Sequence, residues 1–337
     1  MQQLYLEMLL KAAMCKVSVI IPNYNHAAFL KQRIESVLSQ SFTDLELIIL
    51  DDFSTDDSKA VIETYKEHSK ISHIVFNTQN SGSSFIQWKK GIELSKGKYL
   101  WIAESDDVAD HSFLEKMMQR IDRDDNIMLA TCRSAHINEH GDTLALNTWP
   151  DDGFDTTHWT NDFTNSGIDE ISSYLKFRNT IPNASAVVFR NNVATELEAL
   201  INLKWKYSGD WFFWASLISK GKIAYCSEVL NGQRHHIGTT RSSKSFAGER
   251  ARFLETVQCV QMISDMVNEK INWADKRYAW IYDTYIERTG DGKKITSAFW
   301  NISPSFAFRR QLFVVWVKTS IGSLITRIQN KFSRNET

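Results

Sequence analysis

Four short stretches of this sequence carry residue types that can do chemistry together. Trp101-Ile-Ala-Glu-Ser-Asp-Asp107 is an apolar run that delivers adjacent carboxylates at its own end. Hard oxygen ligands so placed suit Mg²⁺ or Mn²⁺, which bridges a carboxylate to phosphate oxygens and keeps part of its water shell. The alternative is that Asp106 and Asp107 cap the next helix. Asp51-Asp-Phe-Ser-Thr-Asp-Asp57 ends a second apolar run. A carboxylate there either accepts a hydrogen bond from a nucleobase N–H or caps the helix that starts at Ser58. Asp52, Ser54, Asp56 and Glu63 fall on ligand positions of a calcium-binding EF-hand loop, but Asp57 stands where that loop needs glycine and a strand precedes it, so calcium is rejected. Gly209-Asp210 stands before Trp211-Phe-Phe-Trp214. An apolar surround raises a carboxyl pKa and suits a general base; plain N-capping competes with it. Arg234-His-His236, followed by Gly238-Thr-Thr-Arg241, offers guanidinium and imidazole to pyrophosphate or a metal, against a purely structural use.

The elements that must position these groups are legible in the first third of the chain. Val17 to Ile21 is a β-branched run that stops at Pro22-Asn-Tyr-Asn25, and Phe29, Ile34, Val37 and Leu38 then recur at helical spacing. The unit repeats: strand Leu45 to Leu50, helix Ser58 to His68, strand His73 to Phe76, helix Ser84 to Ser95, strand Tyr99 to Ala103. Continuous apolar strands alternating with helices predict a parallel sheet covered on both faces. Ligands of such sheets bind beyond the carboxyl ends of the strands, where Asn23, Asp52 and Glu104 to Asp107 fall. Beyond His111 the alternation loosens. A Trp- and Asp-rich stretch from Thr148 to Gly167 reads as an ordered loop or short sheet. Strands follow at Ser185 to Phe189 and Ile223 to Cys226, with a helix from Trp211 to Ser219 between them, and mostly helix from Phe246 onward.

Composition narrows the class. With 337 residues, 43% of them hydrophobic, the chain can bury one large α/β core plus an appendage, or two modest domains. Lys and Arg number 39 against 40 Asp and Glu, which gives no whole-chain reason to expect nucleic acid as partner. Four scattered cysteines fit free thiols in a reducing compartment, so a cytoplasmic protein is expected. Glu7 and Lys11 interrupt the apolar opening and no basic region precedes it, so it is not read as a signal peptide. An uninterrupted apolar run of about 18 residues, the length of a membrane span, does not occur. Nor do G-x-G-x-x-G after the first strand, G-x-x-x-x-G-K-[ST] or G-x-S-x-G, which disfavours dehydrogenases, P-loop ATPases and α/β-hydrolases.

Taken together, Lys16-Val-Ser-Val-Ile-Ile-Pro-Asn-Tyr-Asn25, Ile48-Ile-Leu-Asp-Asp-Phe-Ser-Thr-Asp56, Gly97-Lys-Tyr-Leu-Trp-Ile-Ala-Glu-Ser-Asp-Asp107 and Ser208-Gly-Asp-Trp-Phe-Phe-Trp214 resemble, in order and spacing, the family-2 glycosyltransferases over about residues 16 to 240. The resemblance implies an α/β fold of the GT-A type: a Rossmann-like, mostly parallel central sheet with helices on both faces, here with a helical C-terminal extension. It implies an inverting transferase using a nucleoside-diphosphate sugar, with uridine the expected nucleoside. It assigns nucleotide binding to Pro22, Asn23, Tyr24, Asp52 and Asp106, with the base stacked on Tyr24. Metal, Mg²⁺ or Mn²⁺, falls to Asp107 and His236, diphosphate to Arg234, and the general base to Asp210. Gly209 stands where the family carries the first acid of a pair, and the helix at Ser83 to Lys90 departs from the usual small residues, which leaves the donor sugar open.

The expected organisation is an N-terminal extension over 1–15 and a catalytic domain over 16–240, with a nucleotide half at 16–110 and an acceptor half at 111–240. A helical region at 241–337 follows. Within it, residues 304–332 interleave Phe308, Trp316 and Ile321 with Arg309, Arg310, Lys318, Arg327 and Lys331 and carry no acid. Such a basic amphipathic helix either lies on a membrane surface, drawn to anionic lipid by roughly 1 kcal/mol per cation, or packs on the catalytic domain or a second copy of the chain. The expected acceptor is a glycan or lipid-linked glycan of a bacterial surface polysaccharide, with the enzyme peripheral on the inner face of the plasma membrane if the helix binds lipid.

Overall fold

The computed structural model describes residues 15–284, apart from 151–152, 155–156, 237–244, 274 and 282–283. Strands β1 (Val17–Asn23) and β2 (Leu45–Asp51) are buried along their whole length, as is β4 (Tyr99–Ile102). Successive side chains of a strand point to opposite faces, and these strands feed two cores accordingly. Ile20, Ile48, Leu50, Leu100 and Ile102 join one; Val19, Ile21, Leu47, Ile49 and Trp101 join the other. The second core is closed by α1 (Ala27–Leu38) through Leu30, Ile34 and Val37 and by α2 (Ser58–Glu63) through Ile62. The first is closed by α3 (Ser84–Leu94) through Phe85 and Trp88. Gly97 lets the chain enter β4 closely: a Cβ there would lie 2.5 Å from the Ser18 backbone nitrogen.

The sheet runs β3-β2-β1-β4-β9-β6-β10-β5, with β3 at Ile71–Phe76, β5 at Val108–Ala109, β6 at Ile127–Ile137, β9 at Val187–Arg190 and β10 at Lys222–Arg234. Pairing is parallel from β3 to β4, as the apolar runs predicted. Beyond β4 the sheet is mixed: β9 lies antiparallel between β4 and β6, and β10 returns parallel to β6. Two further strands, β7 (Thr143–Leu146) and β8 (Phe163–Ser166), pair antiparallel with β6 and β10. After β10 the described residues are mostly helical. After α4 (Phe113–Ile121) and α5 (Ala194–Leu203), the aromatic α6 (Gly209–Ile218) packs against α7 (Phe246–Met266), which buries Cys259, Val260 and Ile263. Among the described residues no helix is long and apolar enough to cross a membrane. Residues 1–14, the 304–332 segment and the expected boundary between 240 and 241 lie outside them.

Candidate active site

The loops at the carboxyl ends of β1, β2 and β4 meet on one side of the sheet. Asp52 is buried and its carboxylate is a hub: Oδ1 accepts from Asn77 Nδ2 (2.7 Å), the Ser81 amide (2.9 Å) and Gln87 Nε2 (2.8 Å), and Oδ2 accepts from Ser81 Oγ (2.7 Å). Donors so arranged fix the carboxylate in place without a cation. Tyr24, on the loop that follows β1, is 47% exposed, an aromatic face open to a ligand. Pro22 and Asn23, assigned from sequence to the nucleotide, are buried instead. Asn23 Nδ2 donates to Asp51 Oδ1 (2.8 Å) and Ser54 Oγ (3.2 Å), so this side chain ties the first loop to the second.

At the end of β4 the three carboxyls have different fates. Burial pushes Glu104 up to about 8, with Asp106 and Asp107 adding to the effect, while Trp88 Nε1 donates to its Oε1 (3.1 Å). Burial and the neighbouring Asp106 charge raise Asp107 to about 6. Burial also acts against ionised Asp106, but a hydrogen bond with His236 and the nearby His26 outweigh it and hold this carboxyl below its ordinary value. Beneath them, the guanidinium of fully buried Arg33 lies 5.1 Å over the Trp101 ring, and its nitrogens have no hydrogen-bond partner. Burial lowers its pKa to about 10, the three carboxylates opposing, so it still supplies positive charge to the cluster at neutral pH.

The sequence placed the metal on Asp107; the structure turns that side chain inward. Its Oδ1 accepts from the Arg234 amide (2.9 Å) and its Oδ2 from Asn183 Nδ2 (3.0 Å). Asp106 is the carboxylate that faces imidazoles: its Oδ2 lies 3.1 Å from His236 Nε2, and one ligand atom each from His26, Asp106 and His236 all lie within 4.8 Å of one another. Nitrogen and carboxylate oxygen donors converging in this way fit a divalent cation.

Arg234 also departs from its expected place at the diphosphate. It is 3% exposed, and its guanidinium donates to the backbone carbonyls of Asp106, Asn138 and Glu139 and to Gln32 Oε1 while lying over Phe29. Those bonds make it a brace between α1 and the ends of β4, β6 and β10. The expected Gly238 to Arg241 contribution lies outside the described residues.

Asp210 stands in the first turn of α6, half-buried, where its Oδ1 accepts from the Trp211 amide (2.8 Å) and its Oδ2 from Asn179 Nδ2 (3.3 Å). One segment serves both carboxylate centres. Asn179 touches Asp210, and a few residues on Asn183 holds Asp107 while Ser185 Oγ accepts from the Glu104 amide. Reading the sequence missed His26, Asn77, Ser81, Gln87, Arg33 and Asn183. Two of them carried a signal: His26 directly follows the loop that ends the first strand, and Gln87 is a polar residue amid the apolar positions of a helix.

Residues 18–177 match the sequence model of glycosyl transferase family 2. An uncharacterized glycosyltransferase of Haemophilus influenzae is 28% identical over 230 residues, 67% of this chain and 67% of that protein. The poly(ribitol-phosphate) beta-N-acetylglucosaminyltransferase TarP of Staphylococcus aureus is 37% identical over 108 residues, a stretch that spans 31% of this chain and 32% of TarP. The crystal structure of S. aureus TarS in complex with UDP superposes with a TM-score of 0.52 at 16% identity, covering 81% of this chain and 72% of that one, a likeness of fold. The loops at the carboxyl ends of β1, β2 and β4 therefore lie within the stretch that matches glycosyl transferase family 2, on a sheet similar in fold to that of TarS.

Proposed function

We propose that the chain transfers a sugar from a UDP-sugar to a hydroxyl of a cell-surface polymer, with inversion at the anomeric carbon. The observation that carries this is the alignment of three groups along one loop edge: the exposed Tyr24 ring, the fixed Asp52 carboxylate and the anionic Asp106 beside His236. Tyr24 stacks the base and Asp52 accepts from its N–H. The UDP complex of the similarly folded TarS, and the polymer acceptor in the name of TarP, support the choice of donor and acceptor class.

In this reading Asp106 and His236 hold a divalent cation, Mn²⁺ or Mg²⁺, which when bound neutralises charge on the departing diphosphate. Asp107, occupied by the Arg234 amide and Asn183, keeps the end of β10 and hence His236 in place. Asp210 takes the proton from the acceptor hydroxyl as that oxygen attacks, and Asn179 orients its carboxylate. A single displacement inverts the configuration and needs no covalent enzyme intermediate.

Calorimetric titration with UDP in Mn²⁺, paired with UDP release from UDP-sugars, tests the assignment. Asp210→Asn is expected to lower transfer by about 10²–10⁴-fold and to leave UDP affinity unchanged, whereas Asp52→Ala weakens UDP itself. Transfer that survives in Asp210→Asn would remove that residue from the role of base.

A further inference from the structure

We propose that His26 is a third protein ligand of the cation, so that this chain binds a divalent transition metal before any nucleotide arrives and prefers Mn²⁺ or Co²⁺ to Mg²⁺. The proposal rests on the reading of Asp106 and His236 as the cation site and adds a residue to it. His26 lies on a different loop from both, directly before α1, and its backbone is anchored on either side. Its carbonyl accepts from the Phe29 and Leu30 amides, and the next amide, that of Ala27, donates to Asp56. The ring is anchored too. Nδ1 lies 2.8 Å from Ser105 Oγ, the residue just before Asp106. In the tautomer that donates from Nδ1 to this hydroxyl, Nε2 carries the lone pair, the arrangement by which an outer hydrogen bond orients a ligating histidine.

The surroundings bring a second imidazole and one carboxylate to the same point. His26 and His236 meet edge to face with centroids 5.2 Å apart, and Phe29 packs on His236 at 4.8 Å. Among the described residues, the carboxylate whose oxygen converges on both rings is that of Asp106. Two nitrogens and one oxygen make a donor set unlike the all-oxygen surroundings in which Mg²⁺ is held. Imidazole suits transition metals, and carboxylate alone does not discriminate. Three protein ligands also remove the need for diphosphate oxygens to complete a stable site, while leaving further positions open to them.

The test uses the full-length protein stripped of metal and free of nucleotide. Mn²⁺ binding is followed by the loss of the free-ion electron paramagnetic resonance signal, and Co²⁺ binding by its visible absorption. Wild type is expected to bind one ion of either metal, with Mg²⁺ in large excess failing to displace it. His26→Ala is expected to lose nucleotide-free Mn²⁺ affinity about tenfold or more and to change the Co²⁺ spectrum, and yet to bind Mn²⁺ together with UDP. His26→Gln, which keeps a hydrogen-bond donor for Ser105, is expected to behave as His26→Ala, so that loss of ligation is separated from loss of loop anchoring. Equal nucleotide-free affinity in wild type and His26→Ala, or no binding by wild type until UDP is added, overturns the proposal and leaves the two-ligand site standing. Absence of metal binding in wild type with or without UDP overturns both.

Discussion

Phe53 adopts φ +66° and is 49% exposed, immediately after Asp52. A left-handed conformation costs a bulky L-residue about 1–2 kcal/mol, and such strain persists where the loop serves a ligand. Phe53→Gly is expected to stabilise the fold by up to about 1 kcal/mol, since glycine relieves the strain but adds freedom to the unfolded chain. It should also weaken UDP if the proposed base site is right, because the exposed ring directly follows Asp52. Urea unfolding and a UDP titration on the same variant check the two halves; loss of stability would show that the ring packs rather than strains. At this scale the sequence revealed residue types and not orientations. Asp52 directly follows β2, and the donors that fix its carboxylate come from Asn77, Ser81 and Gln87, well beyond it in sequence. Asp106 and Asp107 are neighbours past a strand end, and which of them faces the imidazoles depends on Asn183 and the Arg234 amide, both far off in sequence. Arg234 read as a phosphate ligand because nothing local announces that four protein acceptors, on a helix and two loops distant in sequence, engage its guanidinium.

Helix α1 receives no cap hydrogen bond from the side chain preceding it. Asp56 serves in its place: Oδ2 accepts from the Ala27 amide (2.8 Å) and Oδ1 from the Ser58 amide (3.0 Å), so one carboxylate tends the starts of both α1 and α2. Partial burial acts to raise the Asp56 pKa, but the hydrogen bonds from Ser58 and Ala27 outweigh it and depress the value. A depressed carboxyl contributes stability that is present above its unfolded pKa, near 3.9, and is lost as pH falls through the folded value. Asp56→Ala should therefore cost about 1–2 kcal/mol at pH 7, with the gap to wild type closing as the pH drops below about 4. Denaturant melts at several pH values measure this, and a gap that stays constant into acid would argue for packing. Elements with one kind of surroundings were readable and mixed ones were not. The strands β1, β2 and β4 are buried on both faces and read as unbroken apolar runs. Polar residues punctuate β6 (Thr131, Arg133, Ser134, His136) and β10 (Ser227, Glu228, Asn231, Gln233), so β6 passed unnoticed and β10 was seen only from Ile223 to Cys226. Register shifts along their pairing break the alternation further.

Across the whole molecule, the expected nucleotide and acceptor halves share one sheet, because β4 of the first pairs with β9 of the second. Trp88 on α3 packs against Phe213 and Trp214 on α6, which couples the halves through the same core. Tryptophan fluorescence and far-UV circular dichroism should therefore trace one coincident urea transition for the described region; separated transitions would mean that the halves fold apart. A chain cut before α7 uncovers the surface that Cys259, Val260 and Ile263 now occupy, and is expected to aggregate rather than remain a soluble catalytic core. The order of the strands also sets a timetable. The central strand β6 is made early, yet its parallel neighbour β10 is among the last strands to be synthesised, Lys222 pairing with Ile127. His236 comes two residues after the end of β10, whereas His26 and Asp106 have long since emerged. During synthesis the half-built protein therefore exposes an open flank of β6 and a proposed cation site with one ligand missing, and closing that flank brings the last proposed ligand into place.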